Sequence, residues 1–344
     1  MSQLSAGQAE SPSDQGEVRP VTRKRLTIIT SLLGVVVLAL LGWYLYRNRE
    51  VFASLGNITP WQIVLILLTE TVSILLGSLM NYSLIRRFGY HVTFRDSVLL
   101  QYINNFLNKV LPTIGGGAAF RGVYLKKKYA FPYSQFVSTL SGFYVISFVA
   151  ISTIGLLCML FFYVTYREVN WVIILAYFAL LIPSLVIILF SPRLPETSNR
   201  MLRILRNVVE GWNVVKKDKR FVLFYGVIAV VQLLISAWQM LVGFQALGVS
   251  AGFIQALFIC SLGIILSFLS FTPDGIGIRE GVYIFSARLV QIPQSMLVLV
   301  SLLLRALSIF STMIIGGIAY LALLHELRRI EENKSGMLKP GQAT

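Results

Sequence analysis

Charged side chains are scarce in this chain: Asp, Glu, Lys and Arg make up 13% of 344 residues against 56% hydrophobic, and the mean hydropathy is +0.73. A soluble domain of that length needs far more polar surface over its core, so that class is excluded. Cysteine and histidine are rarer still, with two of each. Cys158 and Cys260 sit inside apolar runs and His91 and His325 lie far apart, so neither a disulfide framework nor a Cys/His metal cluster can be written, and no cofactor is expected. A Gly-x-x-x-x-Gly-Lys-Ser/Thr phosphate loop is also missing, which argues against ATP-driven pumping by this chain. Acidic residues number 15 against 30 Lys and Arg, a formal +15. In so apolar a protein this excess points to cytoplasmic loops and not to a nucleic-acid partner.

What is present is a series of apolar runs. Residues 1–22, rich in Ser, Gln, Gly, Pro and Glu, read as a disordered cytoplasmic tail. A membrane domain follows over 23–324, with full spans expected at 26–46, 60–85, 134–164, 170–190, 221–247 and 294–324. The first run follows Arg23-Lys24-Arg25 and lacks a small-residue cleavage site, so it reads as a retained helix and not a signal peptide. Residues 325–344 read as a second cytoplasmic tail.

Two further apolar stretches end at breakers, Pro112-Thr113-Ile114-Gly115-Gly116-Gly117 and Thr272-Pro273-Asp274-Gly275-Ile276-Gly277. Residues 97–111 are short and carry Gln101, Asn104, Asn105, Asn108 and Lys109, which suits no lipid-facing span. Reading 97–125 and 253–290 as re-entrant helical hairpins places 22 of the 30 basic residues in cytoplasmic segments. Reading both stretches as spans would put Lys126–Lys128 and the basic 191–220 loop outside. The expected fold is therefore an all-α polytopic membrane protein of six full transmembrane helices plus two re-entrant hairpins, set in the plasma membrane with both termini cytoplasmic. The two hairpins enter from opposite faces, so span–hairpin–span occurs twice as an inverted repeat, an arrangement that suits a transporter. Within 191–220, Met201, Leu205, Val208, Trp212 and Val215 form an amphipathic stripe, which reads as a cytoplasmic helix lying on the inner membrane surface or packed on neighbouring loops.

Ionisable residues inside the apolar segments are the candidate site. Glu70 lies in the second span, Arg305 in the last, and Lys109, Arg121, Asp274, Arg279, Glu280 and Arg288 in the hairpins. Each costs roughly 3 kcal/mol if lipid-exposed, so they must be paired, near an interface or facing a hydrated cavity. Basic groups outnumber acidic ones there, which calls for an anion. Gly116, Gly117, Gly275 and Gly277 stand where a turn into a helix offers backbone N–H groups to phosphate or carboxylate, and arginine grips phosphate bidentately. Structural roles compete: Glu280 or Arg279 in buried ion pairs with Arg305 or Glu70, Lys109 as a helix C-cap, Arg288 snorkelling, and the asparagines packing the hairpin.

The stretch Thr272-Pro273-Asp274-Gly275-Ile276-Gly277-Ile278-Arg279-Glu280-Gly281 resembles the Pro-Gly-Gly-x-Gly-x-Arg-Glu signature of the lysylphosphatidylglycerol synthase transmembrane region, a flippase-like membrane domain family. Gly115-Gly116-Gly117-Ala118-Ala119-Phe120-Arg121-Gly122 resembles that family's first Gly-rich loop, and the resemblance runs from about residue 26 to 325. Asp274 stands where the family usually has Gly, and Ala118 where many members have Glu. The resemblance implies lipid translocation, in some members fused to a cytosolic aminoacyl-transferase domain. The 20 residues after Leu324 hold no such domain, so aminoacylation by this chain is not expected.

The expected function is movement of a lipid with an anionic headgroup between leaflets. Arg121 and Arg279 would hold the phosphate, with Glu70 and Glu280 competing for the two arginines and Lys109 and Arg305 adding positive charge. A membrane enzyme acting on a lipid phosphate is disfavoured, because outer loops 47–59, 165–169 and 248–252 offer only Glu50 and Glu168 as acids. The alternative is a non-catalytic lipid-binding partner of a separate lipid-modifying synthase.

Overall fold

The computed structural model describes residues 58–110, 116–191, 215–269 and 277–337, together with Tyr46, Gly56, Gly275 and six positions between Arg206 and Asn213. The expected tail at 1–22, all but Tyr46 of the expected span at 26–46, and most of both breaker loops lie outside the described residues. Among the described residues the regular structure is helical: α1 (Pro60–Arg87), α2 (Phe94–Val110), α3 (Gly116–Tyr129), α4 (Tyr133–Tyr166), α5 (Trp171–Phe190), α6 (Lys219–Ala246), α7 (Phe253–Leu269), α8 (Ile278–Val290) and α9 (Gln294–Met337). Five helices are long and apolar enough to cross a bilayer: α1, α5, α6, the Gly142–Tyr166 part of α4 and the Gln294–Glu326 part of α9. α9 runs on to Met337, so the first part of the expected 325–344 tail is helix.

Local sequence sets the helix ends. Pro60 opens α1, where its missing N–H costs nothing, and Gln62 Oε1 accepts from the Thr59 N–H at 2.9 Å. Asn170 caps α5 by accepting from the N–H groups of Val172 and Ile173, and Asp218 caps α6 by accepting from that of Phe221 at 3.0 Å. Along α5, Trp171, Val172, Leu175, Leu189 and Phe190 are all exposed, an apolar face suited to lipid.

α1 and α6 form an antiparallel seam through the centre. From α6, Tyr225 Oη donates to the Met80 carbonyl at 2.6 Å, Gln232 Nε2 to that of Ser73 at 3.0 Å, and Gln239 Nε2 to that of Ile66 at 3.0 Å. Donors and acceptors both recur every seven residues in opposite directions, so one face of α6 is zipped to one face of α1. Hydrogen bonds of this kind between helices in an apolar medium are worth about 0.6–1.7 kcal/mol each.

Around this seam most neighbour relations are kept when the set α1–α4 is exchanged with the set α6–α9. α2 packs on α9 as α7 packs on α4, α1 on α2 as α6 on α7, and α3 on α4 as α8 on α9. α2 and α3 lie side by side with their outer ends joined, since Lys128 near the end of α3 bonds Asp96 at the start of α2 at 2.5 Å. Lys128 also reaches Glu326 at 2.6 Å, which fixes this mouth at the C-terminal end of the apolar part of α9. The mouth of α7 and α8 is closed by Gln255 Nε2 donating to the Val290 carbonyl at 2.6 Å, four residues before α9 begins. The two mouths therefore sit at opposite ends of α9.

In the described part of the 191–220 segment, Val209, Trp212 and Val215 are buried against Met80, Leu84, Val145 and Phe221. That portion of the stripe packs on the protein, because a flat indole and two valines fill the gap at the ends of α1, α4 and α6.

Candidate functional site

The inner ends of both helix pairs converge on a short stretch of α9. Glu280, on the first turn of α8, meets Ser301 and Arg305, whereas Lys109, on the last turn of α2, meets Ser308 and Thr312. The polar positions of α9 thus run 301, 305, 308 and 312, one helical face. That spacing was legible in the sequence, yet only Arg305 drew notice because hydroxyls are common in transmembrane helices.

The Glu280 end is closed. Glu280 Oε1 lies 2.8 Å from an Arg305 guanidinium nitrogen and accepts from Ser301 Oγ at 3.1 Å, and Oε2 accepts from the Gly277 N–H at 2.7 Å. Both side chains are about 95% buried, at 4% and 5% exposure. Gly277 sits at φ +84° and Gly275 at φ +73°, left-handed conformations that favour glycine and turn the chain into α8.

The Glu70 end is looser. Glu70 Oε1 accepts from the Ser308 hydroxyl, lies 3.5 Å from Thr312 Oγ1, and stands 3.8 Å from Lys109 Nζ. Lys109 donates to the Ser308 hydroxyl and to Thr312 Oγ1 at 3.1 Å, so two hydroxyls of α9 stand between ammonium and carboxylate. Among the described residues, Glu70 Oε2 is buried with no hydrogen-bond partner.

Glu280 thus takes the ion pair with Arg305 that the sequence offered as its structural role, whereas Glu70 pairs with Lys109 and not with Arg121 or Arg279. Gly117 serves packing as well, since a Cβ there would lie 2.4 Å from the Asn104 carbonyl oxygen, so only glycine lets α3 cross α2 this closely. Its N–H donates to Asn108 Oδ1 at 3.1 Å. The amides of Gly117 and Gly277 are therefore held by side chains, and Gly116 opens α3 beside them.

Arg121 lies on α3 at 5% exposure. Its guanidinium reaches Gln101 Oε1 at a long 3.4 Å and stands over the Phe136 ring at 5.0 Å, with Tyr144 and Tyr225 within electrostatic range. Gln101 Oε1 already accepts from Asn81 Nδ2 at 2.9 Å. Among the described residues Arg121 has no carboxylate partner, and its Nε makes no hydrogen bond. Arg279 is on the first turn of α8 against α7, beside Gly263 and Cys260. Arg288 is 85% exposed and bonds Glu168, in the turn between α4 and α5, at 3.1 Å.

At the mouth of the first pair sits a network that sequence reasoning missed. Asp96 Oδ2 receives Lys128 Nζ and Tyr129 Oη, each at 2.5 Å, while the Tyr124 hydroxyl lies 3.1 Å from Asp96 and 3.0 Å from Glu326. Burial pushes the Asp96 carboxyl up, but the hydrogen bonds from Lys128 and Tyr129 outweigh it and hold it below the ordinary carboxylate value. For Lys128, burial lowers and the bonds to Asp96 and Glu326 raise, with the raising effect winning. The bonds to Asp96 and Glu326 join residues 28 to 202 positions apart, beyond the reach of any spacing rule.

No group of three or more His, Cys, Asp or Glu capable of holding a metal occurs among the described residues. Residues 31–316 match the family model described as the lysylphosphatidylglycerol synthase TM region. A UPF0104 membrane protein of Methanocaldococcus jannaschii is 25% identical over 332 residues, covering 89% of this chain and 97% of the relative. A family match across most of the apolar helices, the two inner helix ends included, makes this a membrane protein that belongs to the lysylphosphatidylglycerol synthase TM region family.

Proposed function

We propose that this chain is a translocase that moves a lipid with an anionic headgroup, chemically unchanged, between the leaflets of the plasma membrane. In this reading α2–α3 and α7–α8 are re-entrant hairpins entering from opposite faces, the 26–46 segment supplies a sixth span, and both termini are cytoplasmic. Two features of the packing support it: hairpin mouths at opposite ends of α9, and most neighbour relations kept on exchanging the two helix sets.

The single observation that carries the function is Arg121. A guanidinium cannot lose its proton at any ordinary pH, and burying it without a counter-charge is costly. Its paired neighbours show that the fold can supply carboxylates where a cation needs one, so the vacancy of negative charge at Arg121 marks where a phosphate is received. Phe136, Tyr144 and Tyr225 give the site an apolar wall with hydroxyl tips, suited to a headgroup whose acyl chains stay in lipid. Arg279 acts as the second cation from the opposite hairpin.

The test is translocation of fluorescent phosphatidylglycerol in liposomes carrying the purified protein. Arg121→Gln is expected to insert normally and slow translocation at least tenfold. Parent-like rates in that variant would overturn the reading. Labelling of residues 126–128 from the cytoplasmic side only is the matching topological expectation.

A further inference from the structure

The two carboxylates at the meeting point of the hairpins differ in one respect that lipid binding alone leaves unexplained. Glu280 has both oxygens engaged and faces an arginine that stays charged. Glu70, 9% exposed, has Oε2 buried and without a hydrogen-bond partner among the described residues, and its cation is a lysine held partly through two hydroxyls. A carboxylate oxygen buried in that way is the position a proton takes when the neighbouring cation departs.

We propose that Glu70 is a proton-binding site coupled to lipid movement. The inference rests on the translocase reading above. When the headgroup phosphate enters between the hairpin tips, Lys109 turns its ammonium from Glu70 to the phosphate. Glu70 then takes one proton from water at Oε2 and becomes the neutral acid; Lys109 keeps its own proton, and no other bond forms or breaks. Ser308 and Thr312 hold Oε1 throughout, so the carboxyl group stays in place while its charge changes. One negative headgroup and one proton enter together, so the loaded site carries no added charge. Movement of the pair responds to a pH gradient and not to membrane voltage, which would otherwise act on each charge at about 2.3 kcal/mol per 100 mV.

The surroundings suit this assignment. Of the helices packed on α1, α6 carries no charged side chain between Phe221 and Ala246, with Tyr225 its titratable group; α2 adds Lys109 near the site, with Tyr102, Asp96 and Arg95 further along; and α9 adds Arg305, which Glu280 holds, with Tyr320, His325 and Glu326 towards its far end. Lys109 is thus the only charged group in contact with Glu70 among the described residues.

The experiment measures proton uptake by purified full-length protein in weakly buffered detergent solution, with a pH dye, on adding short-chain phosphatidylglycerol, while binding is followed in parallel. The probe is a phosphodiester whose own charge does not change near neutrality, and phosphatidylcholine is the control. Expected are about one proton taken up per lipid bound and an affinity that falls as pH rises, by up to about tenfold per pH unit. Glu70→Gln should bind with a pH-independent affinity and take up none. Binding without uptake, or equal uptake in Glu70→Gln, overturns the coupling and leaves the translocase reading standing; failure of the parent to bind overturns both. A second measurement needs no lipid: Lys109→Met at rest should show the infrared band of a protonated carboxylic acid, lost in the double variant with Glu70→Gln. Absence of that band also overturns the proposal.

Discussion

The two inner helix ends solve the same problem in opposite ways. At the α8 end, an arginine, a serine and a backbone N–H occupy both oxygens of Glu280. At the α2 end, a lysine and two hydroxyls gather on one oxygen of Glu70, and on the next helix, α3, Arg121 has no carboxylate partner among the described residues. The first arrangement is a fastener: both oxygens of the carboxylate are engaged, and charge cannot leave without leaving another charge buried. The second is incomplete in both signs, with an oxygen to spare and a guanidinium to spare. On the translocase proposal, this incompleteness makes the α2–α3 side the place of proton uptake and of the first phosphate contact, with Arg279 from the other side as the second cation.

That contrast is most sharply broken at the fastener. Glu280→Gln or Arg305→Met alone strands a buried charge and should destabilise the protein by roughly 3–5 kcal/mol, seen as a collapsed melting temperature in detergent. The double variant should regain most of the loss. If the singles melt like the parent, the fastener is not structural and the contrast dissolves.

A smaller effect separates the hairpins by their glycines. Gly117→Ala drives a methyl group into the Asn104 backbone and should cost roughly 1–3 kcal/mol, read from the same melts. Gly281→Ala, where nothing lies within 4 Å of a new Cβ, should be neutral or stabilise by about 1 kcal/mol through helix propensity. Equal effects at both positions would mean that α2 and α3 do not cross closely.

The smallest expected effect is at the mouth of the first hairpin. Asp96 is held below its ordinary value, so its contribution is present above the unfolded carboxylate value and is lost as pH falls through the folded one. Lys128 is held above its ordinary value, so its contribution is complete at neutral pH and lost only in strong alkali. Melting temperature should therefore be flat through neutrality and fall in acid. Asp96→Asn should flatten part of the acid fall, and a parent profile unchanged in acid would contradict the network.

Much of this fold could be read from composition and periodicity. The apolar runs at 60–85, 134–164, 170–190, 221–247 and 294–324 correspond to helices because a bilayer admits little else over such lengths. Glu70, Lys109, Arg121, Arg279, Glu280 and Arg305 stood out because charge in an apolar run is costly wherever it lies. The Glu280–Arg305 pair was among the readings the sequence offered, but that Glu70 meets Lys109 was not legible: they are neighbours because α1, α2 and α9 pack on one another, and sequence distance carries no trace of that. The glycines misled in an instructive way. A glycine beside a breaker signals either an open amide or a close crossing, and Gly117 proves to be the crossing.

The α1–α6 zipper has a consequence for how such a chain can be lengthened over evolutionary time. One inserted residue turns all that follows by about 100° and swings the remaining rungs off their carbonyls, whereas seven inserted residues bring the face back to within about 20°. An insertion between rungs therefore keeps the zipper only where both helices lengthen together, and by a number of residues that brings the face back, such as seven or eleven.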